Sequence, residues 1–205
     1  ESNETALALA TDLVGTDPGV PENMRLLTTL HEWAADRAGQ QGDFDTALSH
    51  AQANLRWLQT ALQDAPHDPD LLHKVFLVQH AAGPFLLQLD RQPEAQEAIA
   101  AAMTIAEQAR VAGQMSAEFQ RDYGKTLTEP TALTFRDIDH GLDLMTQAIT
   151  TSRPDDPLVW EELGNAAALA GRNERACAAY AHALRFDAET ALSHSKAVDQ
   201  PTNSP

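Results

Sequence analysis

The amino-acid sequence predicts an all-α protein, and three observations carry that prediction. Apolar residues recur at i, i+3, i+4 and i+7 through almost every segment, which is the period of a helix. Alanine and leucine are abundant while aromatic residues make up only 5% of the chain. That balance favours helices packed through small contacts over a sheet of β-branched residues. The breaks between periodic segments are rich in glycine, proline and aspartate, which are helix-ending and turn-forming residues.

Ten helices are predicted in order along the 205 residues. The breaks between them include the turn-forming stretches APHDPD at 65–70 and AGRN at 170–173. Because the helices follow one another so closely, we expect them to pair as hairpins, and an internal repeat is the first pattern to test. The predicted helices cover residues 3–14, 22–40, 44–64, 69–89, 93–112, 115–129, 135–151, 157–170, 173–186 and 188–198.

The stretch WEELGNAAALAGRNERACAAY, from Trp160 to Tyr180, has the clearest internal spacing. If Pro157 is position 1, small residues stand at positions 8 and 20, and bulky residues at 4 and 24. Two helices that cross in near contact require the small residues, and the bulky ones fill the space beside the crossing. This spacing resembles the tetratricopeptide repeat, with the pattern W-x2-L-G-x2-Y followed by A-x3-F. The positions are held by Trp160 (4), Leu163 (7), Gly164 (8), Gly171 (15), Ala176 (20), Tyr180 (24) and Ala183 (27).

The same numbering of repeat positions, called the repeat grid below, also fits two earlier segments. Their turns fall at Gly42 and Asp90. These turns lie 48 residues apart rather than 34, and we assign the extra length to longer helices. A third unit, with a turn at FRDID (135–139), fits poorly because Pro130 interrupts its first helix and no small crossing residues stand out. On this grid position 8 is Ala35 or Gly83, position 20 is Ala47 or Ala95, and position 24 is Ala51 or Ile99.

Residues 22–190, with their long helices, are similar to the tetratricopeptide arrays that follow kinase domains in some bacterial signalling proteins. This resemblance implies a right-handed superhelix, or α-solenoid, made of stacked hairpins. It also implies a sensory or docking segment, since the chain has no kinase signature of its own. The implied layout is an N-terminal helix and linker (1–20), a repeat domain (21–190) with hairpins at about 22–64, 69–112, 115–151 and 157–186, and a capping helix with a frayed tail (188–205).

The net charge of −16 limits the classes of partner. Nucleic acids and anionic membranes both attract basic surfaces, so neither is expected to bind this chain. No apolar run approaches the roughly 18 residues that a membrane-spanning helix needs. A protein or peptide partner with basic residues is favoured, although such a charge also serves solubility.

The chain shows no catalytic or metal-binding pattern. Cys177 follows the crossing residue Ala176 and has no histidine placed as its base, so we interpret it as a small half-buried residue. The eight histidines form no H-E-x-x-H motif and no i,i+4 pair, and DIDHGLD at 137–143 departs from a calcium loop. We therefore predict no enzyme activity, no cofactor and no metal. Trp33, Trp57 and Trp160 have leucine neighbours and are expected to pack in the core.

Partner-binding residues follow only from the resemblance. In the tetratricopeptide family, ligand contacts usually come from positions 2, 5, 9, 12 and 13 of the first helix of each hairpin. Transferred to this chain, they imply a mixed apolar and acidic groove, which suits a peptide bearing Lys or Arg. The predicted function is a protein–protein interaction scaffold or docking module, and the alternative is a small-ligand sensor with a pocket between the long helices. The candidate partner-binding residues are Glu32, Asp36, Leu77, His80, Glu161 and Asn165.

Overall fold

The computed structural model describes residues 2–17, 20–129 and 137–198. Within these ranges every regular element is an α-helix and no strand occurs, which confirms the all-α prediction. The nine helices of this part of the chain are α1 (Ser2–Thr16), α2 (Pro21–Gln40), α3 (Phe44–Asp64), α4 (Pro69–Gln88), α5 (Gln92–Val111), α6 (Ala117–Thr128), α7 (Ile138–Ser152), α8 (Pro157–Leu169) and α9 (Asn173–Val198).

The chain divides into two compact units, Glu1–Ser116 with α1 to α5 and Ala117–Pro205 with α6 to α9. In the first unit each helix packs against the next one along the chain. In the second unit α6 pairs with α7 and α8 pairs with α9, while α7 and α8 also touch. Each unit therefore has a helical repeat-like architecture, in which short connections join neighbouring helices.

Four of the described helices, α3, α4, α7 and α8, begin where an aspartate side chain caps them. The Asp68 carboxylate accepts hydrogen bonds from the backbone N–H groups of Asp70 (2.9 Å) and Leu71 (3.1 Å). Asp156 accepts one from the N–H of Leu158 at 3.0 Å. A cap of this kind stabilises a helix by about 1 kcal/mol. Each of these two aspartates precedes a proline at the first helical position, where a missing N–H costs nothing. These signals are readable in the sequence, and the predicted boundaries lie close to the observed ones.

Three hairpins turn in the same way. Gly42, Asp90 and Gly171 follow α2, α4 and α8 with φ angles of 78°, 58° and 72°, in the left-handed region. In each case the N–H of the following residue bonds back to a carbonyl in the last turn of the helix, which is the Schellman geometry. The three bonds run from Asp43 to Ala38 (2.9 Å), from Arg91 to Leu86 (2.8 Å) and from Arg172 to Ala167 (2.8 Å).

The paired helices cross at glycines. A Cβ atom added to Gly83 on α4 would lie 2.7 Å from the Ile99 side chain on α5. One added to Gly164 on α8 would lie 2.6 Å from Cδ1 of the Tyr180 ring on α9. Both contacts join residues sixteen positions apart, so the two hairpins share one crossing geometry. The positions predicted to be small are therefore the points of closest approach.

The hairpin of α6 and α7 has a closer crossing that the sequence did not reveal. A Cβ atom on Gly124 would lie 2.6 Å from the Gly141 carbonyl oxygen, and one on Gly141 would lie 2.5 Å from the Gly124 oxygen. Met145 also contacts Gly124, as Tyr180 contacts Gly164. The two glycines are seventeen positions apart, whereas the matching small residues of the other hairpins are twelve apart. Because the connection between α6 and α7 is longer, the twelve-residue spacing of the other hairpins did not identify Gly124 and Gly141 as crossing residues. Pro130, which was expected to interrupt the first helix, lies outside the described residues.

Three other expectations were wrong. The predicted break before a separate capping helix at 188 is absent, since α9 is continuous from Asn173 to Val198 and contains no glycine or proline. Trp33 is 64% exposed and does not join the core, unlike Trp57 and Trp160. Cys177 is exposed rather than half-buried, because it lies one residue beyond the helix face that carries Ala176.

Candidate functional site

The six predicted partner-binding residues lie along two clefts, one in each unit. The α2–α4 cleft, in the first unit, encloses a cavity of about 290 Å³ and includes four of them. The α6–α8 cleft, in the second unit, encloses about 500 Å³ and includes Glu161 and Asn165. The α2–α4 cleft is lined by His31, Glu32, Ala35, Asp36, Ala51, Asn54, Leu77, Val78, His80, Ala81 and Phe85.

Helical spacing brings the four residues of the α2–α4 cleft together. Glu32 and Asp36 lie one turn apart on α2, and Leu77 and His80 lie one turn apart on α4, so each pair shares a helix face. Small side chains on α2, α3 and α4 form part of the cavity wall between them. The His80 ring stacks on Phe76, with 6.0 Å between the ring centroids and an interplanar angle of 16°. The cleft is therefore acidic on the α2 side and apolar or aromatic on the α4 side.

Glu32 is a half-buried carboxyl group with an unusual environment. Burial raises its pKa above the ordinary value, and the nearby charge of Asp36 acts in the same direction. Lys74, Asn54 and His73 each favour the charged form and partly oppose that rise. The carboxylate is therefore less well solvated than one on an open surface, and a bound cation would stabilise it.

Asn54 is, with His31, a polar residue of this cleft that was not predicted from the sequence. It is 1% exposed, its Oδ1 has no hydrogen-bond partner within the described structure, and its Nδ2 has none of good geometry beyond its contact with the Glu32 carboxyl. Its amide lies near the Glu32 carboxyl and helps to lower the pKa of that group. Buried polar atoms are nearly always hydrogen-bonded, and leaving one unpaired costs about 1–3 kcal/mol. Asn54 therefore needs an explanation.

A sequence signal for Asn54 did exist. It lies nineteen positions after Ala35, and the residues nineteen positions after Gly83 and Gly164 are Ala102 and Ala183. Both alanines are buried in the helix packing, at 0% and 9% exposure. A comparison of equivalent repeat positions could therefore have singled out Asn54, because the other two hairpins have alanine there.

A histidine pair lies at the edge of the α2–α4 cleft. The Nδ1 atoms of His31 and His50 are 3.2 Å apart, so one ring must donate the hydrogen bond and the other accept it. Burial, the neighbouring His50 and the charge of Arg56 together lower the pKa of His31 to about 4. His31 is therefore neutral at pH 7, and it adds hydrogen-bonding capacity to the cleft without adding positive charge.

The α6–α8 cleft combines an ion pair with exposed leucines. Lys125 Nζ donates to the Glu162 carboxylate at 2.8 Å, and this bond raises the pKa of Lys125. Asn165 accepts a hydrogen bond from the Tyr180 hydroxyl at 2.7 Å, so its carbonyl oxygen is already engaged within the hairpin. Lys125 and Glu162 were not predicted as site residues. The other lining residues are Thr128, Glu129, Arg153, Asp156, Leu158, Val159, Glu161, Ala166 and Leu169.

A third cavity, of about 520 Å³, lies among α7, α8 and α9. Its wall includes Trp160, whose ring stacks on His182 with 4.4 Å between the centroids and an interplanar angle of 14°. The indole Nε1–H of Trp160 donates to the Pro154 carbonyl at 2.7 Å, which fixes the ring. This cavity contains none of the predicted partner-binding residues.

Two further properties bear on function. Among the residues that the structure describes, no three His, Cys, Asp or Glu side chains are grouped so that they could hold a metal ion. None of the helices described there combines the length and the apolar character needed to cross a membrane.

Comparisons with known proteins assign no family. No protein-family model and no curated protein matches the chain. Among solved structures, the chain is similar to one described as the crystal structure of BtubC (BKLC) from P. vanneervenii, with 18% sequence identity and a TM-score of 0.43. That similarity spans 100% of this chain and 94% of the other. It is too weak to indicate a shared function.

Proposed function

We propose that this chain is a non-catalytic interaction module that holds a peptide or protein segment in its helical clefts. The observation that carries the proposal is that four residues assigned through the tetratricopeptide resemblance, Glu32, Asp36, Leu77 and His80, line one cavity. Helical grooves that combine apolar walls with a few polar groups are a recurrent way to bind peptides. The module would serve as a scaffold or as the docking segment of a bacterial signalling protein.

We further propose that its hairpins are tetratricopeptide-like and stack as a right-handed superhelix. The repeated crossings of Gly83 with Ile99 and of Gly164 with Tyr180 support this. The left-handed turn residues after α2, α4 and α8 support it as well, since they fall at the same grid position. Repeats that reuse one crossing and one turn stack in a regular way and present their first helices on one side.

The chemistry of the clefts favours a partner with basic and apolar side chains. Glu32, Asp36 and Glu161 supply negative charge, and the chain has a net charge of −16. Leu158 and Leu169 of the α6–α8 cleft are 71% and 79% exposed, so apolar surface is available there. Opposite charges steer association and set specificity, while buried apolar contacts supply affinity.

A selection from a random peptide library tests this proposal. We expect the enriched peptides to contain Lys or Arg beside apolar residues, and their affinity to fall as salt is raised. In 15N-labelled protein, such a peptide should shift the backbone signals of α2 and α4 or of α8. If no peptide is enriched, or if the enriched peptides shift signals elsewhere and bind independently of salt, the proposal is wrong.

A small-ligand sensor is the second candidate, and the cavity among α7, α8 and α9 favours it. Its volume of about 520 Å³ lies in the range of small-molecule sites, and the stacked Trp160 and His182 rings offer a flat aromatic wall. A thermal-shift screen of metabolites tests this candidate. A small-ligand sensor predicts that some compound raises the Tm of the wild-type chain but not that of the His182→Ala variant. If no compound does so, the sensor proposal is wrong.

A further inference from the structure

We infer that the α2–α4 cleft is a receptor for a single cationic side chain of the partner, and that Asn54 and Glu32 together bind its N–H groups. This inference rests on the proposed peptide-binding function and specifies the chemistry of one site within it. Asn54 then acts as a specificity-determining residue of that site.

Asn54 is a buried polar residue in the wall of the α2–α4 cleft, with 1% of its surface exposed. Its Oδ1 has no hydrogen-bond partner in the described structure, and its Nδ2 has none of good geometry beyond its contact with the Glu32 carboxyl. Packing does not require an amide here, because Ala102 and Ala183 occupy the equivalent places in two other hairpins. A buried amide that is dispensable for packing and whose oxygen is unpaired in the free protein points to a ligand that donates to that oxygen.

The surroundings of Asn54 are acidic. Glu32 lies beside the Asn54 amide, and Asp36 lies one turn further along α2 in the same cleft. A cationic N–H group placed between Asn54 and Glu32 can donate to Asn54 Oδ1 and to the Glu32 carboxylate at once. An anionic group would be repelled by both carboxylates, and an apolar group would leave the amide oxygen unpaired.

The cavity has the size and lining that a single long side chain needs. Its volume of about 290 Å³ suits one side chain rather than a large ligand. Leu77, Ala81 and Phe85 supply apolar atoms along the wall, against which the aliphatic stem of a Lys or Arg can pack. The cleft therefore combines apolar side chains with polar acceptors, which is the chemistry that a long cationic side chain requires.

The test follows the Asn54 side-chain amide signal in 15N-labelled chain Glu1–Pro205. The probes are short blocked peptides, Ala-Ala-Xaa-Ala-Ala, in which Xaa is Lys, Arg, norleucine or Glu. We expect the Lys or the Arg peptide to shift the Asn54 signal in a saturable way, with affinity at least about tenfold higher than that of the norleucine peptide. Comparing the affinities of the Lys and Arg peptides shows whether the cleft prefers an ammonium or a guanidinium group. Titration with free n-butylamine shows whether the cleft binds the ammonium group without a peptide backbone.

Two variants provide the controls. Asn54→Ala should fold with equal or higher stability, because alanine is the residue of the equivalent positions and the unpaired amide oxygen is removed. It should nevertheless bind the cationic peptide about tenfold or more weakly, as should Glu32→Gln. Because Asn54→Ala is not expected to weaken the fold, a loss of binding cannot be attributed to unfolding.

Each outcome separates this inference from the proposed function. If Asn54→Ala binds the cationic peptide as tightly as the wild type, or if norleucine binds as well as lysine, the inference is overturned. Peptides from the library selection that bind the wild type and Asn54→Ala alike would leave the proposed function standing while overturning the inference. If neither the blocked peptides nor any library peptide binds, both fail.

Discussion

Gly124 and Gly141 face each other so closely that a Cβ atom on either one would lie within about 2.6 Å of the carbonyl oxygen of the other. The backbones of α6 and α7 are therefore in direct contact at this point. A side chain there cannot be accommodated by a change of rotamer, because the opposing atoms belong to the main chain. This contact fixes how the two helices cross.

Substituting Gly124 by alanine should destabilise the chain strongly. We expect Gly124→Ala to lower the free energy of unfolding by about 3 kcal/mol, at the upper end of the range for overpacking a core. Chemical denaturation monitored by circular dichroism measures the change. Gly15→Ala is the matched control, since a Cβ atom on Gly15 would meet nothing within 4 Å, and it should leave stability within about 0.5 kcal/mol of the wild type. Equal effects of the two substitutions would contradict the crossing.

The crossing of Gly83 with Ile99 should behave differently, because its close contact is with a side chain. Gly83→Ala should cost about 1–2 kcal/mol, since the Ile99 side chain must move to make room. In a background of Ile99→Ala the same substitution should cost much less. A double-mutant cycle measures this coupling, and additive effects would show that the two residues do not meet.

The left-handed turn residue of α4 offers a stabilising change. Asp90 has a φ angle of 58° at the place where Gly42 and Gly171 stand in other hairpins. Because a side chain is strained in this region, Asp90→Gly should raise the free energy of unfolding by about 0.5 kcal/mol. Gly42→Ala should lower it by about 1 kcal/mol for the same reason. Thermal melting of the wild type, Asp90→Gly and Gly42→Ala gives the order of their stabilities. A lower Tm for Asp90→Gly than for the wild type would contradict the left-handed conformation of Asp90.

The His31 and His50 pair predicts a pH dependence. The pKa of His31 is lowered from 6.5 to about 4, so the folded protein takes up this proton less readily than the unfolded chain. Its contribution to stability is therefore fully present above pH 6.5 and is lost as the pH falls from 6.5 towards 4. The raised pKa of Glu32 acts in the opposite sense as the pH falls, so the His31 effect is measured as the difference from a His31→Asn variant.

Titration of the His31 ring by NMR checks this pH dependence directly. The midpoint should lie near 4, and His50→Asn should move it upwards, because the charge of His50 is one of the causes of the lowered value. A midpoint near 6.5 in the wild-type chain would contradict the burial of the His31 ring and its place beside His50.

The sequence predicted those parts of the fold that depend on local signals. Aspartate caps such as Asp68 and turn residues such as Gly171 mark helix ends through hydrogen bonds made within a few residues, so the boundaries followed from the sequence. The crossing of Gly124 with Gly141 was missed because a connection of different length shifts the spacing. The break expected before residue 188 was wrong because no helix-breaking residue is present there.

The clustering of four candidate residues was predictable once the tetratricopeptide resemblance had assigned them to the first helices of their hairpins. Helical periodicity places Glu32, Asp36, Leu77 and His80 on particular faces, and the packing of α2 beside α4 brings those faces to one cavity. Asn54 was not predicted as a binding residue because it lies on the second helix of its hairpin, to which the resemblance assigns packing and not binding. Whether a buried amide is paired depends on tertiary contacts, which spacing along the chain does not reveal.

If the acidic residues of the clefts bind a basic partner, reversing their charge must weaken the affinity for that partner. A library-selected peptide is titrated against the wild-type chain and against two double charge reversals, Glu32→Lys with Glu161→Lys, and Glu97→Lys with Glu174→Lys. The second pair is the control, because it changes the net charge equally at exposed residues of α5 and α9. We predict that the cleft pair loses at least about tenfold in affinity and most of its salt dependence, while the control pair loses little. Equal losses in the two pairs, or none in the cleft pair, would show that the carboxylates of the clefts do not bind the peptide.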